Sequence, residues 1–313
     1  FHDFLRFSIE IFVIFFIYKL SFVYNLKKKE HNIFLILFLF FSISLNRDLT
    51  ETFYPIRYRD IPIFIMLILS INFLKFDKNL YITPTLIGFL SFLSLFWSLD
   101  RGIYFIVAII FLFMLAMLKK RYLAASLLLI GFSTSLLLSI ILFGSTEIKN
   151  FYINTLNVVK YFDLYAGSSY PTVFDLKNSH SSRGSINLFI IIVNGFLLSL
   201  FLLKSNLRLT ENSKIYFIFF YFISILMYKG ALSVPDSYHM KQSIFLSKIL
   251  LVSHILYLFL KSKYISTNFY LSIIAIVLVF FISIKNFTTF DLYNIKNFKK
   301  INYDYIKLSD DNF

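Results

Sequence analysis

The sequence has no cysteine, and that absence removes disulfides, thiolate nucleophiles, iron–sulfur clusters and cysteine zinc sites in one step. Glycine and proline are scarce, at 8 and 5 of 313 residues, so collagen-like and loop-rich architectures are excluded. Charge is also sparse: Asp, Glu, Lys and Arg together make 15% of the chain. A soluble fold of this size could not cover its apolar surface with so few charges, and a disordered or coiled-coil chain needs more. What fills the sequence instead is hydrophobic, at 58%, with 42 Phe and 21 Tyr. The mean hydropathy of +0.74 is that of a polytopic membrane protein. The formal charge of +14 resembles a nucleic-acid signal, but the basic residues fall in short clusters between apolar stretches, so no nucleic-acid partner is implied. The chain begins with Phe1, without a basic leader and cleavage site, which reads as a truncated reading frame lacking at least one upstream helix.

A transmembrane helix needs about 20 apolar residues, because a rise of about 1.5 Å per residue must cross about 30 Å of hydrocarbon. Ten stretches qualify or come close: 4–24, 31–45, 61–74, 80–97, 102–118, 122–143, 186–203, 215–232, 243–260 and 268–284. The expected fold is therefore all-α, a polytopic bundle of about ten transmembrane helices over 1–284 with a polar, basic tail at 285–313. The second and third stretches are short and invite extension into polar neighbours. No internal repeat is present.

Alternate loops differ in charge. One set (25–30, 75–79, 119–121, 204–214, 261–267) holds 13 Lys or Arg in 32 residues, and the other (46–60, 98–101, 144–185, 233–242) holds 9 in 71. The positive-inside rule makes the first set cytoplasmic and the second periplasmic or extracellular. The basic tail disagrees with this rule, since ten spans place it outside. Arginine runs against the overall trend. Lysine outnumbers it 23 to 8, yet Arg47, Arg57, Arg59, Arg101 and Arg183 lie in outer loops and Arg6 opens the first span. Guanidinium grips phosphate or carboxylate through two parallel bonds, whereas lysine offers a hydrated point charge. A phosphate-linked lipid at the outer leaflet suits such a surface; pairing with the nearby Asp48, Glu51, Asp60 and Asp100 is the plainer explanation.

Three outer segments carry the polar chemistry. In Arg59-Asp60, just before Pro62, the acid is either a helix-terminal charge or a catalytic base. In Trp97-Ser98-Leu99-Asp100-Arg101-Gly102, almost no loop joins two spans, so an adjacent Asp and Arg are forced to interface depth, where they must pair or bind a ligand. The long loop 144–185 opens on an amphipathic helix, with Ile148, Phe151, Tyr152, Thr155, Leu156, Val159 and Phe162 at helical spacing, expected to lie flat on the membrane. It closes on His180-Ser181-Ser182-Arg183, where Ser182 or Ser185 would cap the next span and leave His180 and Arg183 near a helix end that favours phosphate. A Ser/His hydrolase lacks an identifiable acid partner for His180. Asp236 and His239, three residues apart, could share a helical face as base and orienting partner or as two metal ligands, too few to define a metal site. Asp236 could equally cap a helix. Glu10, Lys248 and His254 are ionisable residues inside spans, where they line a cavity or pair internally.

Many spans, polar loops gathered on the outer side and a horizontal amphipathic helix, with Arg6, Trp97–Gly102, His180–Arg183 and Ala231–His239 as local support, resemble the GT-C type of bacterial membrane glycosyltransferase. The resemblance implies an inner-membrane enzyme with its active face outward, a polyprenyl-phosphate-sugar donor and membrane lipids as partners, and transfer to an acceptor at that face. On it, Asp60, Asp236 and His239 are the catalytic choices, and Arg59, Arg101, Arg183 and His180 the phosphate-binding ones. It implies no organic cofactor and does not decide a divalent metal. The family's acidic base in the first outer loop would precede residue 1, and only His2-Asp3 stands near it. An O-antigen polymerase or ligase shares the layout, and a transporter or flippase is the non-enzymatic alternative.

The loop contrast gives a direct test in a chain free of native cysteine. Single cysteines at Ser98, Ser168 and Ser237 should react with an impermeant thiol reagent from outside intact cells, and one at Ser262 should not; the reverse pattern would invert the orientation.

Overall fold

The computed structural model describes residues 2–45, 58–75, 81–161, 179–203, 209–232 and 243–261. All elements among them are helical. They are α1 (His2–Val23), α2 (Lys28–Leu45), a 3-10 turn at Tyr58–Asp60, α3 (Ile61–Lys75), α4 (Ile82–Trp97), α5 (Leu99–Leu118), α6 (Tyr122–Phe143), α7 (Ser145–Lys160), α8 (Ser179–Leu203), α9 (Glu211–Leu232) and α10 (Phe245–Lys261). The expected span 268–284 and the tail 285–313 lie outside the described residues.

Apolar composition explains most of these boundaries, but polar residues extend several helices. Helix α2 takes in Lys28, Lys29 and Glu30, as the shortness of its apolar run invites. Helix α8 starts at Ser179, seven residues before the apolar stretch, so Ser182 and Ser185 lie inside it and neither caps it. Apolar periodicity reports where a helix needs to be buried, not where its backbone bonding begins. Two helices, α5 and α6, are long and apolar enough to cross a membrane, while α3, α4 and the Asn187–Leu203 part of α8 are apolar but shorter. At about 1.5 Å per residue the 20 and 22 residues of α5 and α6 reach about 30 Å. Helix α6 also turns Leu129, Ile130, Leu137, Ile141 and Leu142 outward, each at least half exposed, a face suited to lipid rather than water.

Helix α3 sits at the centre, touched by α1, α4, α5 and α9. Its residues Ile63, Phe64, Met66, Leu67, Ile71, Phe73 and Leu74 are all buried, so it is apolar all round, as an interior helix must be. Aromatic rings join the layers: Phe16 packs edge-on against Phe64 and Phe220, while Phe111 lies tilted against Phe219 and stacked on Phe222. The hydrogen bond from Tyr216 to the Leu67 carbonyl (3.3 Å) ties the start of α9 to mid-α3, and that from Tyr228 to the Gly184 carbonyl (2.9 Å) ties the end of α9 to the start of α8. Helix α9 therefore runs antiparallel to both α3 and α8. At the opposite end, Lys261 of α10 binds Glu30 of α2 at 2.9 Å. Burial pushes the Glu30 carboxyl up, but hydrogen bonds from the Lys27 backbone N–H and from Lys261, with the charges of both lysines, outweigh it and hold the group below its ordinary value.

The closest pair is α4 with α6. A Cβ on Gly88 would collide with the Leu128 carbonyl oxygen and lie 2.9 Å from the Phe132 nitrogen; one on Gly131 would collide with the Thr85 carbonyl oxygen and lie 2.9 Å from the Phe89 nitrogen. The two glycines thus admit each other's backbone, as small residues do where apolar side chains gain nothing from mutual burial in lipid. The small buried residues Ser91, Ser94, Ser135 and Ser139 continue the contact, and Ser91, Ser94 and Ser139 bond carbonyls of their own helix. Helix α7 extends from this pair. Ile148 is buried, Phe151 packs on Phe96 at 5.0 Å and Tyr152 on Phe92 at 6.4 Å, while Leu156 is two-thirds exposed. The expected amphipathic helix is present; the Val159 side chain and Phe162 lie outside the described residues.

Because backbone atoms stand opposite both glycines, Gly88→Leu or Gly131→Leu should separate the helices and cost about 3 kcal/mol or more, against the 1–3 kcal/mol typical of overpacking where side chains can give. Thermal unfolding in detergent reads this directly. Gly144→Ala, at a helix junction with open space but positive φ, should cost less.

Candidate functional site

The polar cluster forms where α3 and α5 begin. Pro62 in the first turn of α3 lacks the amide hydrogen that this turn leaves unbonded in any case, and the preceding 3-10 turn carries Arg59 and Asp60 against the bundle. From the other side, α4 ends at Trp97, Ser98 alone is extended (φ −161°, ψ 114°), and α5 starts at Leu99. So abrupt a turn needs close backbone approach: a Cβ on Gly102 would lie 2.6 Å from the Leu95 Cα. Gly102 N–H donates to the Ser98 carbonyl at 2.7 Å. Helix α5 is thereby pressed onto α4, and the Asp100–Arg101 pair is directed toward α3.

Arg101 is the hub. Its Nε donates to Asp60 Oδ1 at 2.6 Å and its Nη1 to Asp100 Oδ2 at 2.9 Å. Asp100 Oδ1 accepts from the Ser98 hydroxyl at 2.6 Å and from the Arg101 backbone N–H at 2.9 Å. The guanidinium carbon lies 5.8 Å from the centre of the Tyr104 ring, one turn along α5. Arg59 places a second positive charge within electrostatic reach of Asp100 and Tyr104. Burial divides the two acids. The Asp60 side chain is 0% exposed and that of Arg101 5%, whereas the Asp100 side chain is 43% exposed. Among the described residues the cluster holds two carboxylates and two guanidinium groups. An incoming anion would gain most by replacing the more exposed Asp100 on Arg101.

Of the residues singled out in the sequence, the structure brings together Asp60, Arg59 and Arg101. His180 and Arg183 occupy the first turns of α8; their side chains lie outside the described residues. The bond from Tyr228 to the Gly184 carbonyl fixes that turn beside the last turns of α9, at the same end of the bundle as Asp60. Asp236 and His239 lie outside the described residues. The sequence reading offered Asp60 as base or helix-terminal charge; the structure pairs it with Arg101, 41 residues away. It did not single out Ser98 or Tyr104, although spacing of three from Arg101 on one helix places Tyr104 in reach. Among the described residues no group of three His, Asp or Glu is placed to hold a metal ion.

Of the ionisable residues inside the helices, His254 is fully buried with Nδ1 2.5 Å from the Tyr24 hydroxyl, between the rings of Phe201 and Phe217. Higher on α10, Asn194 of α8 donates Nδ2 to the Ser247 carbonyl at 2.8 Å. Both are internal polar contacts between helices.

Removing one partner of a buried pair strands the other charge. Asp60→Asn should therefore destabilise by about 3–5 kcal/mol, whereas Asp60→Leu combined with Arg101→Met should cost much less. Chemical or thermal unfolding of the three proteins in detergent checks both; equal losses would mean that stranding the Arg101 charge carries no cost of its own.

Comparison of the chain with models of protein families, with curated proteins and with solved structures finds no match to any of the three.

Proposed function

We propose that the chain is a multi-pass membrane glycosyltransferase whose Asp60–Arg101 end faces outward and transfers a sugar from a polyprenyl-phosphate donor. One observation carries this reading. A guanidinium is held at one end of the bundle by a fully buried carboxylate, beside a second arginine and a partly exposed carboxylate. Asp60 acts as the anchor that fixes the Arg101 plane, and Arg101 with Arg59 receives the phosphate. The developing negative charge on the departing phosphate is then met by donors already in place, which is worth several kcal/mol in a site shielded from water. Asp100, the more accessible acid, is displaced from Arg101 by the phosphate and becomes the carboxylate available to take the acceptor's hydroxyl proton. This revises the choice of Asp60 as base, because a carboxylate with no exposed surface cannot reach an acceptor. Arg183 and His180, at the same end, extend the phosphate surface, and Asp236 with His239 remains a second carboxylate–imidazole pair for the base.

A transporter is the second reading, favoured by three fully buried atoms without a hydrogen-bond partner: Asn194 Oδ1, Ser247 Oγ and His254 Nε2. Unsatisfied polar atoms in a bundle interior are the mark of a solute or proton path.

The complete protein in proteoliposomes decides between them. Arg59→Lys, Arg101→Lys and Arg183→Lys combined should lower transfer from a polyprenyl-phosphate sugar about 100-fold, since lysine keeps the charge but loses the two-pronged grip. Undiminished transfer removes the arginine role. Transfer only from a pyrophosphate-linked oligosaccharide points to a polymerase or ligase, and movement of the lipid without any new glycosidic bond points to a transporter.

A further inference from the structure

The other end of the bundle carries a cavity of about 410 Å³ that the proposed reaction does not use. It lies where α1 and α3 end and α9 begins. Its lining is mixed: Val23, Ile71 and Leu74 are buried and apolar, Asn25 and Asn212 are the more exposed polar lining, and His31 and Ser213 are nearly buried polar groups. The volume falls within the range of small-ligand sites, and the mixed lining suits an amphiphile better than either a sugar or a hydrocarbon.

Charge identifies the polar part of that amphiphile. Two lining residues, Leu26 and His31, bracket the run Lys27-Lys28-Lys29-Glu30, so the basic run lies next to the cavity in the chain, within a lysine side chain's reach of it, without lining it. The three lysines are exposed. The nearby acids are engaged elsewhere: Glu30 binds the Lys261 ammonium at 2.9 Å and the Lys27 backbone N–H at 2.8 Å, and Glu211 lies 3.6 Å from Lys214. Lys28 and Lys29 have no carboxylate partner among the described residues. Among the described residues this segment is therefore positive in excess, beside a partly apolar chamber at the end of a helical bundle. His31 adds a nearly buried imidazole on the cavity wall, positioned by Ser21. The Ser21 hydroxyl donates to the Tyr18 carbonyl at 2.6 Å, so at its 2.9 Å contact with the ring Ser21 acts as acceptor and His31 Nδ1 carries the hydrogen.

We propose that this cavity binds the phosphate head of an anionic membrane phospholipid, with the head at Lys28, Lys29 and His31 and the start of an acyl chain against Val23, Ile71 and Leu74. The apolar part of the lining selects a lipid over free phosphate, and the surplus lysines select an anionic over a zwitterionic headgroup. The site is separate from the Asp60–Arg101 cluster, and its occupancy does not depend on the proposed transfer reaction.

The test uses the complete protein in detergent, mixed with phosphatidylglycerol or phosphatidylcholine of identical acyl chains, with retained lipid read by native mass spectrometry. One phosphatidylglycerol per chain should be retained at least tenfold more tightly than phosphatidylcholine. Lys28→Gln with Lys29→Gln should weaken retention about tenfold or more, at about fivefold per lysine. This double variant touches only exposed side chains and leaves 11 of the 13 basic residues of that loop set, so fold and orientation are kept. Asn212→Trp, which fills the more exposed polar side of the cavity, should abolish retention while the unfolding temperature stays within a few degrees. Equal retention of the two lipids, or undiminished retention in the lysine variant, overturns the proposal. If inorganic phosphate alone, at millimolar concentration, displaces the lipid completely, the site takes a free anion and the assignment to lipid is overturned. Undiminished retention in folded Asn212→Trp moves the lipid elsewhere on the protein; should that variant unfold, the lysine variant decides.

Discussion

The ion pair between Asp60 and Arg101 governs how this bundle is put together. Burying a carboxylate with no exposed surface costs several kcal/mol unless a partner stands at hydrogen-bond distance, and here the partner is Arg101, 41 residues later in the chain. The pair fixes the rotation of α5 about its axis and the entry of the chain into α3 at once. Both helices depend on that geometry. Helix α3 is apolar on every side and has no polar stripe of its own to set its rotation, so the charged turn before it supplies the orientation that its sequence does not.

Packing elsewhere follows two patterns. Where helices must approach closely, small residues replace large ones, as in α4 against α6; where they stand apart, phenylalanine and tyrosine fill the gap, as between α1, α3 and α9. Several polar groups inside the bundle, such as Ser70 and Ser253, bond a carbonyl of their own helix, and others meet across a helix pair, as Tyr24 does with His254. Polarity therefore collects at the two ends, with Asp60, Asp100 and Arg101 at one and Glu30, Lys261 and the His31 cavity at the other.

Much of this was legible in the residues. The described helices match nine of the apolar stretches to within a few residues except at α8, and Ser145–Lys160 is the amphipathic helix its spacing predicts. The prediction that Asp100 and Arg101 must pair or bind a ligand at the abrupt α4–α5 turn followed from the cost of charge at that depth, and the structure pairs them. What local pattern could not show was contact across the chain. Asp60 read as a helix-terminal charge or a base because nothing in its neighbourhood names Arg101, and the inner cavity was invisible because Asn212 meets Asn25 and His31 only after folding. The early start of α8 was missed because Ser179–Ser185 is polar, and polarity says little about backbone hydrogen bonding.

The paired glycines of α4 and α6 have a mechanical consequence. With backbone facing backbone at both Gly88 and Gly131, sliding one helix along the other by a single turn, about 5.4 Å, would set a bulky side chain such as Leu128 or Phe92 against main chain and lock. The two helices are thus keyed in register and can pivot only as one body, carrying α7 with them. Any rearrangement of this molecule has to use the α4–α6 pair as its fixed frame.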